Sequence, residues 1–293
     1  MELHQLAYFV AVADEGNFTR AAAKLHVAQP GVSAQIRRLE RELGQPLLDR
    51  SGRTVRLTEV GAAALPHARA ALAAVESVRE AVDELAGLVR GQVAMGMVTS
   101  AGPVGLPDLL AEFHRRYPAV EITLAEANSD VMLTALREGR LDVAVVGLAA
   151  DPPPDIATRV LLDEPFLAVT APSDPLAGRD TIALADLAGP PLMCLPKGTG
   201  LRSALDAGFA SVGLTPRIAF EAADPNVLVQ LAMRGLGVAI VPRSLARYHA
   251  ADLHIIDVVE PRLRGVLALA WRAEGPLSPA ARALVDTILT GRQ

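Results

Sequence analysis

Through residue 90 the apolar positions recur with a helical period, and beyond it they switch to short alternating or continuous runs separated by helical stretches. Residues 2–15 place Leu3, Leu6, Val10 and Ala13 on one face and predict an amphipathic helix ended by Gly16. Asn17 is a good N-cap for a second helix over 18–25, with a small-residue block at Ala21-Ala22-Ala23. The turn His26-Val27-Ala28 leads into a third helix over 29–43, closed by Gly44. In that helix Val32, Ile36, Leu39 and Leu43 form one buried stripe, whereas Pro30, Ala34, Arg37, Arg38 and Arg41 fall on the opposite face. Leu47-Leu48 and Val55-Arg56-Leu57 read as short strands around Arg50-Ser51-Gly52-Arg53, a tight turn with Arg53 at its tip. Thr58 then caps a helical pattern reaching about Arg90. Its apolar positions Leu65, Ala68, Leu72 and Val75 follow heptad spacing, and Val78, Val82, Leu85 and Val89 continue it after a three-residue slip.

Arg90-Gly91 reads as a hinge. A strand over Val93–Thr99, a helix over 103–117, a strand over 120–125, a helix over 129–138 and a strand over 141–147 give the β-α-β-α-β order of a parallel sheet with helices on its faces. A second unit begins at Phe166, with strands near 166–171, 192–195, 217–221 and 237–241, helices near 200–211 and 225–234, and a short helical segment over 180–187. The last strand, 266–271, and a helix over 279–290 return to the first unit. The expected organisation is residues 1–58, a linker helix over 59–90, lobe I from 91–161 plus 266–293, and lobe II from 162–265.

Two short helices with a tight turn, the second apolar behind and basic in front, form a helix-turn-helix pattern, and a hairpin after it reads as a wing. Charge sharpens this picture. Residues 18–57 carry eight Lys and Arg (Arg20, Lys24, Arg37, Arg38, Arg41, Arg50, Arg53, Arg56) against Glu40, Glu42 and Asp49, a local balance of +5 in a chain of −5. Cations concentrated on one small unit suit phosphate neutralisation, and an arginine at a wing tip suits a narrow minor groove. For the third helix alone, an ordinary solvated arginine face is the alternative; helix, turn, helix, wing and charge together favour DNA. The apolar stripe of the linker helix points to self-association, with packing on the chain's own domains as the alternative.

The run Phe18-Thr19-Arg20-Ala21-Ala22-Ala23, then Gln29-Pro30, Val32-Ser33, Ile36-Arg37-Arg38-Leu39-Glu40, Leu43-Gly44 and Asp49 through Arg53 to Leu57-Thr58, resembles the N-terminal domain of LysR-type transcriptional regulators. The resemblance spans most of 3–60, and the later organisation extends it over essentially the whole chain. It implies an α/β protein with an N-terminal winged helix-turn-helix, a long linker helix and a C-terminal two-lobed α/β effector domain resembling periplasmic binding proteins. It further implies a homodimer through 59–90 that presents two recognition helices to an inverted repeat in double-stranded DNA, with tetramers left open. Positions matching Gln29, Pro30, Ser33 and Arg53 approach DNA in that family; Thr19, Arg20, Ala34, Arg37 and Arg38 complete the candidate DNA-binding set. Two departures stand out. Ala28 occupies a position that is commonly Ser or Thr, weakening the N-cap by roughly 0.5–2 kcal/mol. Ala34 stands where Arg is frequent, and its methyl could meet a thymine methyl instead.

In open α/β sheets small molecules sit at the carboxyl ends of strands beside helix N-termini. Three stretches qualify: Thr99-Ser100-Ala101, Asn128-Ser129, and Pro196-Lys197-Gly198-Thr199-Gly200. Taken singly each is better read as a plain N-cap; convergence on one cleft would make them a site for a small-molecule effector, a carboxylate or another small polar ligand, to which Lys197 could add charge or from which it could point away. The resemblance places the effector at Ser100, Ser129 and Thr199, with Gly147 and Leu148 lining the hinge strands. Other chemistry finds no support. The six histidines are scattered with no zinc spacing, Cys194 is the lone cysteine, and no phosphate loop, dinucleotide fingerprint or nucleophile elbow occurs. Buried structure is the preferred reading for Cys194, with an intersubunit or sulfenate switch as the weaker one. With no signal pattern at the N-terminus and no apolar run of spanning length, a cytoplasmic, non-enzymatic regulator without cofactor or metal is expected. A small-molecule carrier with a non-functional DNA-binding domain is the competing reading; it leaves the winged helix unexplained.

Overall fold

A computed structural model describes residues 1–52, 54–85, 88–99, 104–275 and 277–291. The first helix, α1 (Leu3–Glu15), buries Phe9 and Val12 completely and stops at Gly16, whose left-handed φ of 58° favours glycine. Helix α2 (Phe18–Lys24) is capped by Asn17, whose side chain accepts from the amides of Thr19 (2.8 Å) and Arg20 (3.1 Å). Helix α3 (Gln29–Leu43) starts at Ala28 without any side-chain cap, and Pro30 in its first turn supplies a preset φ instead. Val32, Ile36 and Leu39 are fully buried, but Leu43 is 46% exposed: the expected stripe ends a turn early as Gly44 leads the chain off the helix. The wing strands β1 (Leu48–Asp49) and β2 (Arg56–Leu57) pair antiparallel.

Helix α4 (Glu59–Leu85) begins at Thr58, whose hydroxyl accepts the Gly61 amide (2.9 Å) and donates to the Pro46 carbonyl (2.7 Å). The helix lies so close to the wing that a Cβ on Gly61 would stand 2.0 Å from the Leu47 carbonyl oxygen. Leu65 and Ala68 pack into the core of the N-terminal unit, while Val75, Val78 and Val82 further along are exposed. Residues 88–90 are irregular, so the helix does not continue to Arg90.

Beyond it, β3 (Gly91–Met97), α5 (Leu106–Arg116), β4 (Val120–Glu126), α6 (Ser129–Arg137) and β5 (Val143–Leu148) build a parallel sheet in the order β4-β3-β5. Strand β6 (Ile156–Thr170) runs through both lobes. After it come β7 (Thr181–Ala183), a 3-10 turn (Leu184–Ala188), β8 (Leu192–Cys194), α7 (Gly200–Ser211), β9 (Ile218–Glu221), α8 (Pro225–Met233), β10 (Val238–Pro242), α9 (Arg243–Tyr248) and β11 (His254–Val259). Strand β12 (Arg264–Arg272) returns between β5 and β6, antiparallel to both, and α10 (Pro279–Thr290) closes the first lobe. Two cores result, one around Val143–Val146 and Leu284, the other around Leu192–Cys194 and Val238–Val241.

Three expectations need correction. The crossing strand starts at Ile156 rather than Phe166; its first half carries Arg159, Asp163, Glu164 and Pro165, because it pairs along β12 where one face meets solvent or the cleft. Residues 181–183 form a strand against β11, not a helix. Helix α9 and strand β11 were not foreseen; the first has only six residues, too few to show a helical period.

Candidate functional sites

On α3 the side opposite the buried stripe exposes Pro30, Ala34, Arg37, Arg38 and Arg41, with Gln29 and Ser33 half-buried at its edge. Thr19 and Arg20 are exposed at the start of α2. Arg20 donates to the Glu15 carbonyl, and Arg38 pairs with Glu42 at 3.3 Å, both exposed contacts that water or phosphate can replace at little cost. Arg37 has no acidic partner among the described residues. Arg53, the wing-tip candidate, lies outside the described residues. Arg50, counted among the cations of this unit, is already engaged within it. Arg50 pairs with Glu40 at 2.7 Å and covers the Phe18 ring at 5.2 Å. Glu40 also accepts the amides of Leu47 (3.0 Å) and Leu48 (3.2 Å), so it joins α3 to the wing. The sequence carries no distinct signal for this joint, because Glu40 is one of two acids set among the arginines of the third helix.

Between the lobes lies a small cavity of about 50 Å³. That is room for roughly three to five waters. The N-terminal ends of α6 and α7 reach it from opposite lobes, and Thr99, Asn128, Ser129, Gly147, Leu148 and Thr199 all line it. Ser100 and Ala101 lie outside the described residues. Pro196 and Lys197 are not in the lining, and Lys197 is exposed: the turn at Gly198 (φ 87°) directs the loop's carbonyls, not its side chains, at lobe I. Asn128 donates to the Lys197 carbonyl at 3.2 Å, and the Asp130 amide donates to the Gly198 carbonyl at 3.3 Å. The lobes meet most closely at two glycines, where a Cβ on Gly200 would be 2.5 Å from the carbonyl carbon of Gly147.

Hydroxyls in this cavity differ in what they have left to offer. Thr199 donates to the Pro196 carbonyl (2.8 Å) and accepts the Arg202 amide (3.3 Å), so it acts as the cap of α7. Buried Ser129 accepts the Gly147 amide at 3.0 Å, and among the described residues nothing takes its proton. Sequence reasoning missed Glu164, the one charged side chain in the lining among the described residues. Its carboxylate is held by the Ser244 amide (2.7 Å) and hydroxyl (2.8 Å) from α9, and the rest of that end is apolar, with Leu162, Phe166, Val266 and Leu267. Glu164 sits on β6, two strand spacings across β12 from Gly147 and two residues along it, hence about 12 Å away.

Cys194 is fully buried at the end of β8, and burial pushes its thiol up to about 11. Its neighbour Arg202, also buried, is paired with Asp206 (2.9 Å) and with Glu221. This cluster pins α7 to β8 and β9. Among the described residues no group of three or more His, Cys, Asp or Glu could hold a metal ion, and no helix is long and apolar enough to cross a membrane.

A winged helix-turn-helix joined by a long helix to a two-lobed domain with a cavity at the lobe junction defines a DNA-binding regulator with a small-molecule sensor. Comparison with known proteins agrees. Residues 3–62 match the family described as bacterial regulatory helix-turn-helix protein, lysR family, and residues 86–293 match the LysR substrate binding domain. The chain is 32% identical over 290 residues to the hydrogen peroxide-inducible genes activator of Pectobacterium carotovorum subsp. carotovorum, covering 98% of this chain and 96% of that protein. It is 39% identical over 243 residues to the transcriptional regulator ShiR of Corynebacterium glutamicum, covering 82% of each. Its fold superposes on full-length OxyR of Pseudomonas aeruginosa with a TM-score of 0.77 at 28% identity, covering 98% of this chain and 94% of that one. The chain belongs to the LysR family of transcriptional regulators. It is a ligand-responsive DNA-binding regulator, whose partners are double-stranded DNA, further copies of itself and a small-molecule effector.

Proposed function

We propose that the exposed face of α3, with Ala34, Arg37 and Arg38 flanked by Gln29, Pro30 and Ser33, reads promoter DNA, helped by Thr19, Arg20 and the wing arginine Arg53. Residues 1–58 form the reading unit, 59–90 the dimer-forming helix, and the two lobes the sensor, with no catalytic step. CbnR, a LysR regulator 28% identical to this chain over 99% of its length (TM-score 0.61), has been solved with its target DNA, and a dimer through the linker helix suits the exposed Val75, Val78 and Val82 here. The effector is a small monocarboxylic acid carrying a hydroxyl or amine. Its carboxylate would meet the N-terminal end of α7 at Gly200 and the unspent hydroxyl of Ser129, and its distal donor would meet Glu164. The observation that carries this reading is the lining itself: two helix N-termini at one end, a carboxylate at the other, and no described basic side chain between. Dicarboxylates would set a second negative charge against Glu164 and are disfavoured.

The test is a thermal-shift titration of the full-length protein with a panel of hydroxy- and amino-monocarboxylates against matched dicarboxylates. Shikimate, the ligand solved in the effector binding domain of QuiR, is one member of the panel. Hits are carried into a gel shift on the protein's own upstream DNA with unrelated DNA as control. Monocarboxylates should raise the midpoint and change DNA affinity, and Ser129→Ala should blunt both. A panel that favours dicarboxylates, or a full response in Ser129→Ala, would overturn the assignment.

A further inference from the structure

Arg69 lies on α4, away from both the DNA-facing surface and the cleft, and is only 9% exposed. Its guanidinium donates in two directions. One bond goes to the carboxylate of Asp14 on α1, in the DNA-binding unit; the other goes to the carbonyl of Glu138 at the C-terminal end of α6, in lobe I, at 3.1 Å. The next residue, Gly139, is left-handed (φ 66°), and a Cβ there would stand 3.5 Å from Arg69 Cβ and 3.2 Å from Nη1 of Arg272. The arginine stem therefore lies in van der Waals range of the lobe at that point. Of the other charges lining this groove, Arg140 is paired with Glu138 and Lys24 with Glu15.

The opposite end of α6 belongs to the cleft. Ser129 lines the cavity, while Asn128 and the Asp130 amide hold the carbonyls of Lys197 and Gly198 in lobe II. Helix α6 has nine residues and is about 13 Å long, short enough for its two ends to move together. A continuous series of bonds therefore runs from lobe II through α6 and Arg69 to α1. If the C-terminal end of α6 shifts by an ångström, the Arg69–Glu138 bond is lost and a buried donor is left unpaired. It costs less for the arginine to follow the helix, and Asp14 with it.

We propose that Arg69 is a positioning residue that couples the lobes to the DNA-binding unit, so that movement across the cleft resets the orientation of α1 and the recognition helix beside it. The coupling gains its biological use from the cleft being the effector site, as proposed above. Its test uses no effector, so the two readings can fail separately.

Two cleft variants of the full-length protein supply the perturbation. Gly200→Ala drives a Cβ against Gly147 and parts the lobes; Asn128→Ala removes a bond to lobe II without adding bulk. Each is made alone and with Arg69→Gln or Asp14→Asn, and read by hydrogen exchange across residues 3–15 and by affinity for upstream DNA. With Arg69 intact, the cleft variants should change DNA affinity about 5-fold or more and alter exchange in α1. With Arg69→Gln or Asp14→Asn, the same variants should change affinity less than about 2-fold. Should Gly200→Ala not fold, Asn128→Ala carries the test. The proposal is overturned if the cleft effect survives in the Arg69→Gln background, or if neither cleft variant alters α1 exchange or DNA affinity when Arg69 is present.

Discussion

Replacing Glu40 with alanine should loosen the wing from the recognition helix while leaving both elements in place. The carboxylate is 13% exposed and does three things at once: it accepts the amides of Leu47 and Leu48 and pairs with Arg50. Arg50 can turn to water when its partner is removed, because nearly a third of it is already exposed, so that contact contributes little. The two part-buried amides cannot. A hydrogen bond to a charged acceptor is worth about 1.5–3 kcal/mol, and because both amides share the one oxygen Oε1 their contributions do not add in full, so losing them should cost the wing about 2–3 kcal/mol locally. At 1.36 kcal/mol per tenfold, the Leu47 and Leu48 amides should exchange with solvent roughly 30- to 150-fold faster. Hydrogen exchange on the full-length protein reads this directly. Glu40→Gln keeps an acceptor oxygen and should stay below about tenfold, and Arg50→Ala below about fivefold. Unchanged exchange at Leu47 and Leu48 in Glu40→Ala would refute the reasoning. An equally large effect in Arg50→Ala would move the joint from the amides to the arginine.

Gly61→Ala places a methyl 2.0 Å from a backbone oxygen that has no free end to yield, and should cost about 1–3 kcal/mol. A thermal midpoint at or above that of the parent would show that α4 and the wing are not in contact as described. Arg37→Ala should weaken binding to all DNA sequences alike and lower the salt slope by about one, measured by fluorescence titration across salt concentrations. An unchanged slope would take Arg37 off the phosphates. For Cys194, burial raises the thiol from 9.0 to about 11 in the folded chain. The folded state therefore holds this proton more tightly than the unfolded one. Its contribution to stability is intact below about pH 9 and falls away as pH climbs towards 11, a decline that Cys194→Ala should flatten in alkaline denaturation. At neutral pH the same thiol should resist iodoacetamide until the protein unfolds, and rapid alkylation of native protein would contradict its burial.

The N-terminal unit was legible because its signals are local. Asn17, Gly44 and the stripe Val32–Ile36–Leu39 each state their role within one or two helical turns, and each is found in that role. The two-lobe plan also follows from alternation of apolar strands and amphipathic helices. The start of β6 did not, since Arg159, Asp163, Glu164 and Pro165 look like loop residues until β12, about a hundred positions later, lies beside them. Glu164 escaped notice for the same reason: its importance comes from facing Ser244 and the cavity across the sheet, and no short motif announces that. For Lys197 the sequence leaves both an added charge and a solvent position open, and the left-handed turn at Gly198 presents backbone to the cleft and leaves the side chain exposed.

The long strand β6 and its return partner β12 also govern the order in which the protein can be completed during synthesis. Lobe II is a continuous stretch inserted into lobe I, and its core from Phe166 to Leu263 is available before β12 leaves the ribosome. Lobe I begins at β3 but lacks Leu269, Ala270 and Leu284 until β12 and α10 have been made. Strands β3, β4 and β5 must therefore wait with an open sheet edge, at Val143–Leu148, through the synthesis of about a hundred further residues. A nascent chain stalled anywhere in lobe II would carry a recognition helix able to fold beside a sensor that cannot yet close, which makes this edge the place where a chaperone would be needed most.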